Sequence, residues 1–354
     1  MAPDSVEQAN THPIGCGPFK FKEWQRYEVT RLERFENYFE TDAEGNPLPY
    51  LEAIEGRPKK EDRVRLTALR TGQVDLIDNM AYADAANFPK RYAGEYQTWD
   101  APALGTAFIS FNHEKGPFAD SHPDGKTLRQ AAAYATDLEA IHHAVYYKRG
   151  DIATGYFPEV SPWHASPEGW IGKYDPEKAK FLLKKARAVG TPIELMANDS
   201  WPYQRQTGEL VQAMWSEAGF KVNYNIYDAA ILRQKRRDGD FHADSRAGAY
   251  RFDPDGHFSR YVLSTAPQNQ QQASRFRNEK ADQLILQARR TADLKKRLEI
   301  YREVETIVNE ELPMLYTHHL TLLEAGVMNL KDYRPAISGS PHTQGAGLRV
   351  AWMA

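Results

Sequence analysis

The chain has 354 residues, of which 41% are apolar and 26% charged, ordinary proportions for a globular protein with room for two domains. Its 45 basic and 48 acidic side chains leave a formal charge of −3, so no overall field directs it to nucleic acid. No apolar run approaches the ~20 residues needed to cross a bilayer, and the single cysteine, Cys16, has no disulfide partner within the chain.

One cysteine fits a reducing cytosol, and it fits an exported bacterial protein stabilised by a large core equally well. The opening "MAPDSVEQANTHPIG" is polar and lacks the apolar stretch of a signal peptide. "GPFKFKEW" and "YEVTRLERF" then alternate as two strands, with a turn at Gln25-Arg26. "AEGNPLPY" is a loop, and "EDRVRLTALRTG" spaces Val64, Leu66 and Leu69 as a short helix ending at Gly72. "QVDLIDNM" and "GTAFISFN" read as strands, "GPFADSHPDG" as a loop, and Thr127 to Tyr147 as mostly helix.

In "YDPEKAKFLLKKA" Asp175 is the expected N-cap, Pro176 sits in the first turn, and Glu177 faces the positive end of the dipole. Ala179, Leu182, Leu183 and Ala186 make its apolar face. A strand "PIELMAN", a helix from Tyr203 to Ala218 and a strand "FKVNYNIYD" follow, the rhythm of a sheet flanked by helices. Two further helices, about Glu279–Arg290 and Asp293–Glu311, precede "PMLYTHHLTLLEAGV". Leu294, Leu298, Tyr301, Val304 and Val308 are the expected inner stripe of the second.

Several of these segments, in order, resemble the substrate-binding proteins of bacterial ABC importers, the peptide/nickel-type family 5 group. "PIGCGPFKFKEW" is similar to that family's Gly-Thr-Gly-Pro-Tyr-Lys-Phe hairpin, with Cys16 where threonine is usual. "NPLPYLEAI", "RLTALRTGQVDLID", "FISFNHEKGPFAD" with "LRQAAAYATDLEAI", "YDPEKAKFLLKKA" and the long block from "ADQLILQARR" to "MLYTHH" complete the series. The resemblance implies an α/β fold of the two-lobed periplasmic-binding-protein type, class II-like and N-terminally truncated, because the family's hairpin lies well inside the protein. Residues 1–105 with 321–354 would be a partial lobe I, and residues 106–320 lobe II. It further implies a monomer that captures a small-molecule or peptide ligand in an interlobe cleft, outside the inner membrane. The solute would pass to an ABC permease, with no cofactor and no bond broken. A hydrolase or a sensor domain on the same scaffold is the alternative.

The stretch "AYRFDPDGHFSRY", Ala249 to Tyr261, concentrates the chemistry. As a calcium loop, Asp253, Asp255 and Gly256 lack a third early ligand and the distal glutamate. His142-His143 and His318-His319 are adjacent pairs whose side chains diverge, which is not metal-ligand spacing. Asp253 and Asp255 could serve a hydrolase, but an N-cap plus a loop contact is simpler.

Members of the family that bind peptides often carry Asp-Tyr-x-Asp-Pro here, the first aspartate pairing with the ligand's ammonium group. Matching Asp253-Pro254 to that motif puts Tyr250 at the aspartate and Arg251 at the tyrosine. A tyrosine cannot neutralise an ammonium, whereas an arginine can grip a carboxylate. The ligand is therefore expected to lack a free α-amino group or to carry it elsewhere, and to be anionic or aromatic, unless Arg251 pairs locally with Asp253 or Asp255. Asp253, Asn112 at the lobe crossing, and Trp201 and Tyr203 at a strand-to-helix junction are the other expected ligand contacts beside Tyr250 and Arg251. Trp163, flanked by proline, is expected only to pin a loop.

Overall fold

The computed structural model describes residues 11–165, 172–248, 252–335 and 347–354. The chain divides into two compact units, Met1–Ala103 with Leu322–Ala354, and Leu104–Thr321.

In the first unit β1 (Phe19–Gln25), β2 (Val29–Arg34) and β3 (Ala53–Gly56) form an antiparallel sheet in that order. The turn between β1 and β2 falls at residues 26–28. Helix α1 (Asp62–Arg70) stops at Gly72, whose φ of +68° is the left-handed conformation that glycine adopts freely. The apolar run "QVDLIDNM" contributes only β4 (Leu76–Ile77) to the sheet. Helix α2 (Tyr82–Arg91) has no counterpart in the sequence expectations; Pro89 near its end and its mixed polarity hid it. Leu69, Ile77, Met80, Phe88, Leu323 and Ala325 pack as this unit's core.

β5 (Tyr96–Phe111) carries the chain from the first unit into the second and is twice as long as its apolar centre suggested. The helix expected over 127–147 is two, α3 (Gly125–Ala135) and α4 (Leu138–Ala144). The break comes at Thr136-Asp137, where the Asp137 carboxylate accepts the Ala140 N–H and starts the second helix. After β6 (Asp151–Ile152), α5 (Pro176–Lys185) begins where its cap dictates, with Asp175 accepting the Lys178 N–H at 2.9 Å.

Then come β7 (Pro192–Asn198), α6 (Pro202–Ala218), β8 (Lys221–Tyr227), α7 (Ala229–Asp238) and β9 (Ala243–Gly248). Next are α8 (Asp255–Tyr261), α9 (Pro267–Gln272), α10 (Glu279–Arg289) and α11 (Leu294–Glu311). β10 (Met314–Val327) returns the chain to the first unit, which closes with the β11 (Leu330–Lys331) and β12 (Trp352–Met353) pair. Helix α7, unmarked by a clean apolar stripe, is capped by Asp228 and ended by left-handed Gly239. The stripe of α11 starts later than expected, since Leu294 is exposed while Tyr301, Val304 and Val308 are buried.

Within the second unit the sheet order is β10-β5-β9-β7-β8, with β6 on the flank of β10. β5 and β9 are antiparallel, while β9, β7 and β8 run parallel. On one side Trp215 of α6 stacks on Phe111 and donates its indole N–H to Thr136 at 2.9 Å. On the other, α8, α10 and α11 bury Phe258, Ile285, Tyr301, Val304 and Val308 against Phe108 and Tyr316.

Candidate ligand-binding site

The parallel strands β7 and β9 fix where a site can form in the second unit. Asn198 ends β7 opposite Tyr227 of β8, and Gly248 ends β9 opposite Thr106 of β5. Open α/β sheets present ligands with just such carboxyl ends, because strand termini and helix starts leave backbone groups and loop side chains facing outward.

At the end of β7 the Asn198 side chain accepts the Ser200 N–H at 2.7 Å, and the chain turns at once into α6. Trp201 is the residue before that helix; its own side chain makes no cap, and 45% of it is exposed. Its ring lies 6.0 Å from Tyr203, which lies 6.1 Å from Tyr146. Tyr146 is buried and stacks on His318 at 3.6 Å, and the second ring nitrogen of His318 meets the Arg149 carbonyl at 2.8 Å. An exposed indole is thus backed by a ladder of rings reaching into the core. Burial pushes the Tyr203 phenol up to about 12, so it stays a neutral hydrogen-bonding group at any physiological pH.

At the end of β9 the packing is closer. A Cβ placed on Gly248 would come within 3.3 Å of Phe108 and 3.4 Å of Tyr156. Tyr156 is held at both backbone groups: Thr106 donates to its carbonyl at 2.6 Å, and its N–H donates to Glu305 at 3.0 Å. Its ring stacks on His257 of α8 at 3.2 Å, and His257 in turn sits 3.3 Å from the Tyr316 hydroxyl. Burial holds the His257 imidazole well below its ordinary pKa and lifts the Glu305 carboxyl to about 8, favouring the neutral form of both groups.

Of the residues expected from the sequence, the structure brings Trp201 and Tyr203 together on one ledge. Tyr250 and Arg251 lie outside the described residues. Asn112 is corrected to an internal role, for it is fully buried and its amide is spent. It donates to the carbonyls of Gly239 and Phe241 at 3.1 and 2.9 Å and accepts the N–H groups of Glu114 and Lys115. No hydrogen-bonding capacity remains for a ligand.

Asp253 likewise already has a partner, the fork of Arg297, with both contacts at 2.6 Å. Burial would raise its carboxyl pKa, but the bond from Arg297 holds it below the usual carboxylate range. Asp255 meets Arg289 at 2.6 Å. Both carboxylates offered as alternative local partners of Arg251 therefore pair with arginines from distant parts of the chain. Among the described residues no three His, Cys, Asp or Glu side chains gather as a metal site, and no helix is long and apolar enough to cross a membrane. Sequence reasoning missed Arg297, Glu305 and Tyr156, which carry no local motif.

The profile described as "Bacterial extracellular solute-binding proteins, family 5 Middle" matches residues 2–270. The dipeptide-binding protein of Escherichia coli K12 is 26% identical over 98% of this chain and 64% of its own length. Heme-binding protein A of Haemophilus influenzae is 30% identical over 88% of this chain and 56% of its own length. The chain thus spans between about half and two thirds of the curated relatives it matches. Among solved structures, AgaA of A. tumefaciens R10 in complex with agropinic acid superposes with a TM-score of 0.79. It is 22% identical over all of this chain and 71% of its own.

Proposed function

The chain belongs to the bacterial extracellular solute-binding proteins of family 5, and from that premise we propose that it captures a peptide or other small solute and hands it to an ABC permease. The observation that carries this reading is the ledge of Trp201 and Tyr203 at the carboxyl end of β7. An exposed indole backed by buried rings is a flat apolar wall with polar tips, suited to holding a ligand group without reacting with it. The family is one of binding proteins, and capture with no bond broken is the activity proposed here. On the same premise we propose that the protein works outside the inner membrane, as a monomer, with the permease as its partner.

Tyr250 and Arg251 enter from the sequence as further ligand contacts, Arg251 favouring a carboxylate-bearing ligand. Agropinic acid, named with the AgaA structure, and the dipeptide and haem of the relatives' names define the first panel to try.

Native mass spectrometry of the protein as purified is the direct test, followed by titration with the dipeptide Ala-Phe, haem and agropinic acid. A retained small molecule, or saturable binding of one probe that Trp201→Ala weakens about tenfold, supports the proposal. A retained peptide or Ala-Phe binding would overturn the expectation of an anionic ligand without an α-amino group. Turnover of any probe would favour the hydrolase alternative.

A further inference from the structure

The turn that joins α4 to β6 runs against backbone preference. Tyr147 and Lys148 follow one another at φ +52° and +60°, left-handed conformations that residues with a side chain seldom adopt, and Gly150 follows at +75°. Such a turn persists only where its surroundings hold it. The Lys148 N–H donates to the His142 carbonyl at 3.1 Å and the Arg149 N–H to the Tyr146 carbonyl at 2.9 Å, tying the turn back to the end of α4. On its far side β6 pairs with β10, Ile152 opposite His318 and Asp151 opposite His319.

His318 is the side chain that closes this arrangement. It is fully buried, and its Nε2 lies 2.8 Å from the Arg149 carbonyl, which can only accept, so Nε2 carries the proton. Its ring lies flat on Tyr146, with centroids 3.6 Å apart and planes 12° from parallel. His142, four residues before Tyr146, sits 5.3 Å from the same imidazole. Gly150 leaves no slack, for a Cβ there would come within 2.8 Å of His318 Nε2 and would run into the His319 carbonyl. The imidazole is therefore fixed at one edge by backbone and on its face by a phenol.

Tyr146 passes that constraint outward. Its ring is 6.1 Å from Tyr203, and Tyr203 is the ring that the exposed indole of Trp201 meets among the described residues, at 6.0 Å. The backbone beneath them is held separately: the Ser245 hydroxyl of β9 donates to the Gln204 carbonyl at 2.9 Å. The first turn of α6 is thus set from β9, while its aromatic rings are backed from β10. Every link from His318 to Trp201 lies within the second unit. An indole already ordered before a ligand arrives loses less side-chain entropy on binding.

We infer that His318 is a positioning residue for ligand recognition: locked to the left-handed turn and stacked on Tyr146, it aims the ledge of Tyr203 and Trp201. This rests on the solute-binding function proposed above, in which that ledge meets the ligand. His318 itself touches no ligand in this account.

Three substitutions separate the ring from the hydrogen bond. His318→Phe keeps a flat ring against Tyr146 and gives up the N–H, His318→Asn keeps a donor toward Arg149 and gives up the ring, and His318→Ala gives up both. Asp175→Ala, a helix-cap variant on α5, serves as the stability control. Affinity for Ala-Phe, haem and agropinic acid is measured by calorimetry, alongside melting temperature. Fluorine NMR of protein labelled with fluorotryptophan reads the ledge without any ligand, the Trp201 line being assigned from Trp201→Phe.

His318→Ala and His318→Asn are expected to weaken the bound probe about fivefold and to move the Trp201 line toward that of the free amino acid. His318→Phe should melt lower, because the buried Arg149 carbonyl loses its donor, yet keep the affinity and the Trp201 line. Added to Trp201→Ala, His318→Ala should cost no further affinity, since both act on the same ledge. Should the alanine variant fail to fold, the phenylalanine and asparagine pair carries the comparison.

An unmoved Trp201 line in His318→Asn would overturn the inference, as would a loss in His318→Phe as large as in His318→Asn, or an equal loss in Asp175→Ala. A wild-type protein that binds none of the probes would count against the binding function proposed for them. The positioning role would then be decided by the Trp201 line alone, which must move in His318→Asn and stay in His318→Phe.

Discussion

The second unit buries the imidazoles of His113, His257, His318 and His319 and the carboxyl of Glu305, beside Arg129, Asp244, Arg246 and Arg275, whereas in the first unit the buried carboxyl among the described residues is Glu324, paired with the Tyr333 phenol. The two glutamates show what a single partner does. Glu324 accepts the Tyr333 hydroxyl at 2.6 Å, and burial, partly offset by that bond, lifts its carboxyl to about 7. Among the described residues Glu305 receives only the Tyr156 N–H and its second oxygen has no partner, and burial lifts it further, to about 8. Burial also drives His318 and His319 down to about 3. The second unit thus holds buried histidines and a buried acid for which burial disfavours the charged form, the first a buried acid with one hydroxyl partner.

The difference predicts two opposite pH limbs. A histidine at about 3 in the folded state and 6.5 unfolded takes its proton first in the unfolded chain, so stability falls as pH drops from 6.5 toward 3. A glutamate at about 8 folded and 4.5 unfolded keeps its proton longer in the folded chain, so stability falls as pH rises from 4.5 to 8. Below neutrality the two tendencies oppose one another; above pH 6.5 the glutamates act alone.

The largest effect is expected on the acid limb. His318→Gln and His319→Gln should each remove up to roughly 1.4 kcal/mol per pH unit from the slope of unfolding free energy between pH 4 and 6.5. Urea titrations at several pH values measure that slope, and an unaltered one would break the contrast. Glu305→Gln comes next, flattening the decline between pH 6.5 and 8 by roughly 2 kcal/mol in total. Tyr333→Phe should cost the first unit about 1–2 kcal/mol and push the Glu324 carboxyl higher still, a shift visible by carboxyl carbon NMR. A fall in that pKa would mean the hydroxyl is not what restrains it. Smallest is Asp175→Ala, about 1 kcal/mol in the urea-measured unfolding free energy, the cost of a lost helix cap.

Where local chemistry dictates structure, the sequence was legible. Asp175 and Pro176 started α5 where expected, the β1–β2 hairpin formed around its turn, and six blocks in order sufficed to place the chain in its family. Local reading failed where no residue announces the element. Helix α2 has a proline inside it, α7 has one buried residue, and the break between α3 and α4 depends on a single aspartate. For the site, aromatic residues at a strand-to-helix junction pointed to Trp201 and Tyr203. Asn112 misled because a polar residue at a strand end looks the same in sequence whether it faces a ligand or four backbone groups.

The sequence by itself determined which segments turn, cap and alternate, and which family they compose. Tertiary structure alone decided who meets whom. Arg297 finds Asp253 across 44 residues, Arg289 finds Asp255 across 34, and Glu305 finds the Tyr156 amide across 149. Caps and turns are fixed by atoms a few bonds away, so residue order is enough to specify them. A buried carboxyl or a caged arginine takes its charge state and direction from whatever the packing places around it, and that information is distributed over the whole unit.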